Sequence, residues 1–209
     1  MDKQTIYKKQ TASKSSRTKP AEVRLDELMN AAEALFLERG VEATTITDIT
    51  DKAGVGKGTF YHYFASKNDM LTALAKRYTE QFVEAVQQAI DACDAGDWAG
   101  KLRAWIHANV ETYVKTYRTH DIVYNHHHHH DRSNQAKKDI LNQLSEIIDG
   151  GVAAGIWAPA EPRVVTLLIY AGVHGATDDI IAAQLESHAL FAQNLADACL
   201  KMLPARAEN

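Results

Sequence analysis

The stretch Thr44–Leu71 restricts the possible folds of this chain more than any other part of the sequence. Within it, residues 47–53 place apolar side chains four positions apart, which predicts a short amphipathic helix. Gly54 follows, where the end of a helix commonly requires a left-handed residue. A second short helix is predicted from about residue 57 to 64. Two short helices joined by a turn that contains glycine predict a helix–turn–helix unit.

The second short helix divides its side chains between two faces. Phe60, Tyr63 and Phe64 lie three and four positions apart, so we expect them to face inward. The opposite face carries small, polar or cationic residues that suit a DNA groove. A small helical hairpin with solvated polar residues fits the same pattern. The predicted DNA contacts on this helix are Lys57, Gly58, Thr59, Tyr61 and His62.

The run TTITDITDKAGVGKGTFYHYFASKNDML resembles the DNA-binding domain of the TetR (tetracycline-repressor) family of bacterial transcription regulators. The resemblance begins with AAEALFLERG and covers residues 24–74. It implies an all-α fold of about nine helices. An N-terminal three-helix helix–turn–helix domain would precede a C-terminal helical bundle for ligand binding and dimerisation. It also implies that Thr45 and Thr47 contact the DNA backbone, although both residues equally fit helix caps.

The hexapeptide GVGKGT at residues 54–59 bears a superficial likeness to a phosphate-binding loop. That loop requires a glycine, four further residues and then Gly-Lys-Ser/Thr. Here Lys57 is followed by Gly58, and Asp51 stands where the first glycine should be. No apolar strand precedes the run, so the sequence excludes a nucleotide site of this type.

Charge is distributed unevenly along the 209 residues. Residues 1–67 contain 11 Lys or Arg and 9 Asp or Glu, whereas residues 68–209 contain 12 and 18. A cationic head on an acidic body suits a protein that touches phosphate with one end only. Residues 1–19 are predicted to form a disordered basic arm, either a solvated tail or an arm that follows DNA. The predicted helix–turn–helix domain is 20–66, and 67–209 is the predicted regulatory and dimerisation domain.

The sequence contains no obvious export or membrane signal. The charged N-terminus is not followed by an apolar segment, and the apolar stretch at residues 164–173 is too short to span a bilayer. The two cysteines, Cys93 and Cys199, lie within helical patterns. We interpret them as small core residues of a protein in a reducing compartment, with no disulfide between them. We therefore expect a cytoplasmic protein.

A long helix is predicted to join the head to the body. Ser66 and Asp69 form the pattern of a capping box at its start. Lys67, in its first turn, is predicted to contact a DNA phosphate. Because this helix belongs to both parts, its tilt would determine the orientation of the second short helix, which carries the predicted DNA contacts.

The helix predicted at residues 98–119 carries aromatic side chains on one broad face. This face is either ordinary core or the wall of a small-molecule cavity, where indole N–H and phenol O–H groups supply directional contacts. On a later helix, a polar line with i, i+4, i+8 spacing fits either the cavity or a dimer interface. The candidate ligand-binding residues are Trp105, His107, Tyr113, Tyr117, Tyr170, His174 and Asp178.

Five consecutive histidines occur in NHHHHHDRSN at residues 125–134. In a helix, His126 and His130 would share a face, a spacing that can bind a transition metal, and His120 lies nearby. The alternatives are a polar loop with incidental metal affinity and a region that loosens when histidines become protonated. A metal-sensing or metal-dependent helical protein that uses His126–His130 is therefore the rival interpretation, although no cofactor or resident metal is predicted.

Helices predicted at residues 161–184 and 187–203 mix large apolar with small residues, which permits close helix packing. They form either an intramolecular pair or half of a four-helix bundle that a two-fold mate completes. The TetR resemblance implies the second arrangement, a homodimer. Before them, Gly150 and Gly151 predict a weak end for the helix at 136–154.

No catalytic residues are predicted. The sequence lacks the Glu-x-x-His pairs of di-iron bundles, G-x-S-x-G and H-E-x-x-H. The interpretation that explains most of the chain is a homodimeric DNA-binding transcriptional regulator. The resemblance implies a repressor that binds a palindromic double-stranded operator and is released by an unidentified small molecule.

Overall fold

The computed structural model describes residues 20–124, 135–185 and 187–206. These residues contain no strand beyond an isolated bridge between Trp157 and Ala205, so the predicted all-α fold is confirmed. They form eight helices, against the nine or so expected. The helices are α1 (Ala21–Arg39), α2 (Ile46–Ala53), α3 (Lys57–Tyr63), α4 (Lys67–Asp91), α5 (Trp98–Tyr124), α6 (Gln135–Ala153), α7 (Pro162–Ala182) and α8 (His188–Leu200).

Helices α1, α2 and α3 form a small head around the apolar side chains that the helical periodicity turns inward. Ile49 of α2 and Phe60 of α3 are completely buried in the same core as Leu28 and Phe36 of α1. The first turns of α4 complete this core. Its contributions are Met70, Leu71, Leu74 and Ala75, and α5 adds Val123. The head therefore depends on side chains that follow the predicted domain boundary at residue 66.

Helices α4 to α8 form the body, and α5 contacts each of the other four. Trp105, Leu102 and Ile106 of α5 are buried at the centre of the second core. α5 continues past its predicted end at residue 119 to Tyr124. The predicted end is too early: the His120 ring packs against aromatic neighbours and belongs to the helix.

Gly150 and Gly151 lie in the last turn of α6, next to its end at Ala153. A Cβ atom on Gly150 would lie 2.2 Å from the Trp98 ring, and one on Gly151 would lie 2.2 Å from the Trp157 ring. Trp157 is buried. The two glycines therefore provide room for two indole rings that pack directly on the α6 backbone.

Helix α7 buries one side and leaves the other side uncovered in the single chain. Leu168 is 54% exposed, and a Cβ atom on Gly172 or Gly175 would meet nothing within 4 Å. We call this surface the open face of α7; it comprises Val164, Leu167, Leu168, Ala171, Gly172 and Gly175. On α8, the neighbouring Leu190 is 61% exposed.

The apolar stretch at residues 164–173 lies within α7, the helix that the sequence predicts at residues 161–184. α7 has 21 residues and a mean hydropathy of 1.3, so by length and composition alone it could cross a membrane. Helices of soluble proteins also meet this criterion.

Candidate nucleic-acid interface and regulatory cluster

Helix α3 turns its polar face to solvent. Phe60 is fully buried and Phe64 is nearly so, whereas the Tyr61 side chain between them is 56% exposed. The Tyr61 ring stands edge-on to the Phe60 ring, with centroids 5.4 Å apart. The Tyr63 hydroxyl donates to the Ala21 carbonyl over 2.9 Å and anchors α3 to the start of α1. Of the predicted contacts on α3, Lys57, Gly58, Tyr61 and His62 are exposed and Thr59 is half-buried.

Helix α2 begins with a complete capping box. The Asp48 amide donates to Thr45 Oγ1 over 3.2 Å, and the Thr45 amide donates to Asp48 Oδ2 over 2.8 Å. The sequence allows Thr45 either to contact the DNA backbone or to cap a helix, and the structure contains the cap. Thr47 lies inside α2 and is exposed. Contact of either threonine with the DNA backbone stays a prediction.

Asp48 also joins α2 to α1, because Arg39 lies 2.7 Å from its carboxylate. The hydrogen bonds from Thr45, and secondarily the Arg39 guanidinium, lower the pKa of Asp48 to about 2, against an ordinary value of 3.8. The ionised carboxylate is therefore the form that stabilises the start of α2 in the folded protein.

This depressed pKa predicts a pH-dependent contribution to stability. The contribution is fully present above the ordinary pKa and is lost as the pH falls toward about 2. We expect Asp48→Asn to unfold at lower urea concentration than the wild type at about pH 6, with a smaller difference at about pH 3. Asp51→Asn is the control, since that carboxylate makes no hydrogen bond within the described part of the chain. Equal behaviour of the two variants would contradict this role.

Lys67 has partners that its predicted contact with phosphate did not anticipate. Its ammonium group donates to the Val41 carbonyl over 2.6 Å and to the Thr44 carbonyl over 3.0 Å. Lys67 thereby fastens the connection between α1 and α2 to the start of α4. Because an ammonium group has three N–H donors, one donor remains for a phosphate. The predicted phosphate contact is compatible with this anchoring role and stays a prediction.

A cluster of aromatic rings lies where α4, α5 and α7 meet. His120 is at its centre, with ring centroids 5.0 Å from Tyr113, 4.9 Å from Tyr124 and 6.0 Å from Tyr78. The Tyr113 ring also lies 5.3 Å from the ring of His174 on α7. We call this set the aromatic cluster; its members are Tyr78, Tyr113, His120, Tyr124, Tyr170 and His174.

Hydrogen bonds connect the aromatic cluster to two carboxylates. The Tyr113 hydroxyl donates to Asp178 over 2.8 Å, and His174 Nδ1 lies 3.1 Å from the other Asp178 oxygen. His120 Nδ1 lies 3.3 Å from Asp121. The bond from Tyr113 to Asp178 joins α5 to α7 beside the open face.

Burial shifts the acid–base behaviour of this cluster. It raises the pKa of Tyr78 to about 12, and burial together with the bond to Asp178 raises the pKa of Tyr113 further. Burial also lowers the pKa of His120, although the Asp121 carboxylate opposes this effect. The tyrosines and His120 are therefore neutral near pH 7, and they offer a ligand hydrogen bonds and ring faces.

The structure unites four of the seven predicted ligand-binding residues: Tyr113, Tyr170, His174 and Asp178. Trp105 lies deeper in the core, and its indole Nε1 is buried with no hydrogen-bond partner among the described residues. His107 and Tyr117 are half-buried on α5. Sequence reasoning missed Tyr78 and Tyr124 and assigned His120 to the histidine run. The spacing of Tyr113, Tyr117, His120 and Tyr124, typical of one helix face, could have revealed the last two.

Comparison with known proteins identifies relatives that match the head and, in one case, about two thirds of the chain. The sequence profile described as "Bacterial regulatory proteins, tetR family" matches residues 28–74. The chain is 38% identical over 142 residues to the HTH-type transcriptional repressor KstR2 of Mycolicibacterium smegmatis, covering 65% of this chain and 68% of that protein. It is 39% identical over 69 residues to KstR2 of Mycobacterium tuberculosis, where the match spans only 34% of the relative's length.

A solved structure extends the likeness beyond the head. FadR of Bacillus subtilis, determined in complex with stearoyl-CoA, matches 86% of this chain and 99% of its own with a TM-score of 0.70. The two sequences are 20% identical, so this match concerns the fold alone.

Proposed function

This chain belongs to the TetR family of bacterial regulatory proteins, a family of DNA-binding transcription regulators, and we propose that it is a repressor. It binds a palindromic operator as a homodimer and leaves the DNA when a small molecule binds the body. The observation that carries this proposal is the solvent-facing polar surface of α3 on a head whose apolar residues are buried. Such a surface fits a major groove.

In the bound state, α3 of each subunit enters a major groove. Lys57, Gly58, Thr59, Tyr61 and His62 contact bases or phosphates there, whereas Thr45, Thr47 and Lys67 position the head on the backbone. Two heads related by a two-fold axis would read half-sites about 34–36 Å apart.

Selection of DNA from a random pool by the purified protein tests this proposal. We expect enrichment of an inverted repeat, and binding that weakens steeply with rising salt because phosphate contacts release counterions. Failure to enrich any sequence would contradict the proposed function. Residues 1–19 lie outside the described residues, and deleting 1–18 would test whether the basic arm adds to the salt-dependent affinity.

Replacing Tyr61 with alanine should weaken operator binding without unfolding the protein. The ring is more than half exposed, so its removal opens no cavity, whereas each lost base contact typically costs about 1–3 kcal/mol, or about 5- to 150-fold in affinity. A gel-shift titration against the selected operator measures the loss. Ile156→Ala, which removes an exposed side chain outside both the head and the proposed dimer interface, is the control. Unchanged affinity in Tyr61→Ala would remove this residue from the interface.

The open face of α7 supports the proposed dimer. A row of exposed leucines and valine on one side of a helix is unfavourable in water, and covering it with a second copy recovers this apolar area. Gly172 and Gly175 have no intramolecular neighbour at the Cβ position, and small residues permit close approach of two helices. The proposed interface comprises α7 and α8, within the predicted segments 161–184 and 187–203.

The aromatic cluster is the proposed contact region for the effector. It lies beside the open face, so a molecule that separates Tyr113 from Asp178 would also shift α7 in the proposed dimer. Trp105 Nε1 is a further donor available in the core. A thermal-shift screen of small organic molecules tests this, with Tyr113→Phe as the variant that should respond differently. The rival metal hypothesis concerns His126–His130, which lie outside the described residues.

A further inference from the structure

Glu33 lies where the head meets the body, and its carboxylate uses both oxygens across that junction. Oε2 accepts a hydrogen bond from Arg77 of α4 over 2.8 Å. Oε1 accepts one from the Thr119 hydroxyl of α5 over 3.1 Å. Arg77 also donates to Asn30 over 2.9 Å. Two body helices thus hold one side chain of α1.

Partial burial distinguishes this junction from the ordinary ion pairs on the surface. The side chains of Arg77 and Glu33 are 19% and 33% exposed, whereas those of Lys76 and Glu80 on α4 are 77% and 65% exposed. An exposed pair within one helix contributes little to stability or geometry. Charge-assisted bonds that engage a shielded carboxylate from two directions restrict its orientation much more strongly.

The last turns of α5 connect this junction to the aromatic cluster. On one side, Thr119 reaches Glu33, Arg118 donates to the Leu37 carbonyl over 3.2 Å, and Val123 is buried in the head's core. On the other side, His120 belongs to the aromatic cluster. A movement of this segment relative to α7 therefore moves the Thr119 hydroxyl that holds Glu33.

We propose that Glu33 is a positioning residue that sets the orientation of the head on the body, and thereby the distance between the two α3 helices of the dimer. The inference rests on the proposed function. Glu33 acts through Arg77 and Thr119 and lies on α1, whereas the exposed DNA-facing side chains lie on α3. Removing its charge should therefore alter which half-site spacing the dimer prefers and leave the reading of each half-site unchanged.

The test compares wild type, Glu33→Gln and Glu80→Gln on a series of operators. The series starts from the inverted repeat that the wild type selects and changes the spacer by single base pairs. In Glu33→Gln, the amide oxygen can still accept from Arg77 and the amide NH2 can donate to the Thr119 hydroxyl, but the charge that strengthens the bond to Arg77 is lost. We expect the affinity for the operator with the preferred spacer, divided by the affinity for the operator with the next-best spacer, to fall about fivefold or more. Glu80→Gln removes a carboxylate from an exposed pair on the same body and should keep the wild-type ratio.

A wild-type spacing profile in Glu33→Gln would overturn the inference while leaving the proposed function intact. A wild type that selects no DNA would overturn the proposed function and this inference with it. Should Glu33→Gln fail to fold, Thr119→Val, which loses a single hydroxyl, is expected to shift the ratio in the same direction. An unchanged profile in that variant would overturn the inference.

Discussion

Replacing Leu168 with glutamate should convert the proposed dimer to monomers and weaken operator binding by about a hundredfold or more. Leu168 is 54% exposed at the middle of the open face of α7. A carboxylate there costs little in a single chain but would be buried without a partner in the dimer. Loss of the second head removes the avidity of a two-site complex. Sedimentation velocity measures the oligomeric state, and a gel-shift titration measures the affinity.

A matched change elsewhere separates dimer loss from general damage. Ile156 is 39% exposed in the turn after α6, outside the proposed interface, so Ile156→Glu should retain both the dimer and the affinity. Gly175→Leu provides a second probe: its side chain has open space in the single chain, yet it would hold the two α7 helices apart. A Leu168→Glu protein that sediments as a dimer and binds the operator normally would contradict the proposed interface.

The second large effect concerns folding. Changing Gly151 to alanine should reduce the free energy of unfolding by about 2 kcal/mol, because the new methyl group would lie 2.2 Å from the buried Trp157 ring. The better helix propensity of alanine, worth about 1 kcal/mol, offsets part of the clash. Urea unfolding at fixed protein concentration, followed by tryptophan fluorescence, measures the difference.

Gly58→Ala is the matched control, because this helical glycine has nothing within 4 Å of its Cβ position. The same chemical change should there be neutral or stabilising by up to about 1 kcal/mol. Combining Gly151→Ala with Trp157→Leu should recover part of the loss, since the smaller side chain can retreat from the new methyl group. If Gly151→Ala and Gly58→Ala have the same free energy of unfolding, the α6 backbone moves easily away from the Trp157 ring.

Much of the head could be predicted because local rules determine it. The spacing of Phe60 and Phe64 identifies the buried face of α3, and Gly54 adopts the left-handed conformation at the end of α2 that its position suggested. The side-chain partners in the head could not be predicted in the same way. Lys67 bonds to carbonyls more than twenty positions away, and periodicity contains no information about such contacts.

In the body, sequence reasoning identified the helices better than their contacts. The sequence predicts the end of α5 at residue 119, whereas the helix continues through His120, whose ring packs against Tyr113 and Tyr124. Gly150 and Gly151 are predicted only to weaken the end of α6, and the structure adds that two indole rings pack against them. In both cases a tertiary contact supplied what local preference could not indicate. Tyr113 and Asp178, in contrast, are both predicted ligand-binding residues, and a 2.8 Å hydrogen bond joins them.

The continuity of α4 has a consequence for anyone who wishes to build hybrid regulators from this protein. The helix contributes Met70, Leu71 and Leu74 to one core and Phe82, Val86 and Ile90 to the other, while Tyr78 packs against both. A chimera joined at residue 66 would separate the head from the α4 side chains that complete its core. The junction of a working chimera belongs beyond Ala75, and the recipient must supply an apolar side chain in place of Val123.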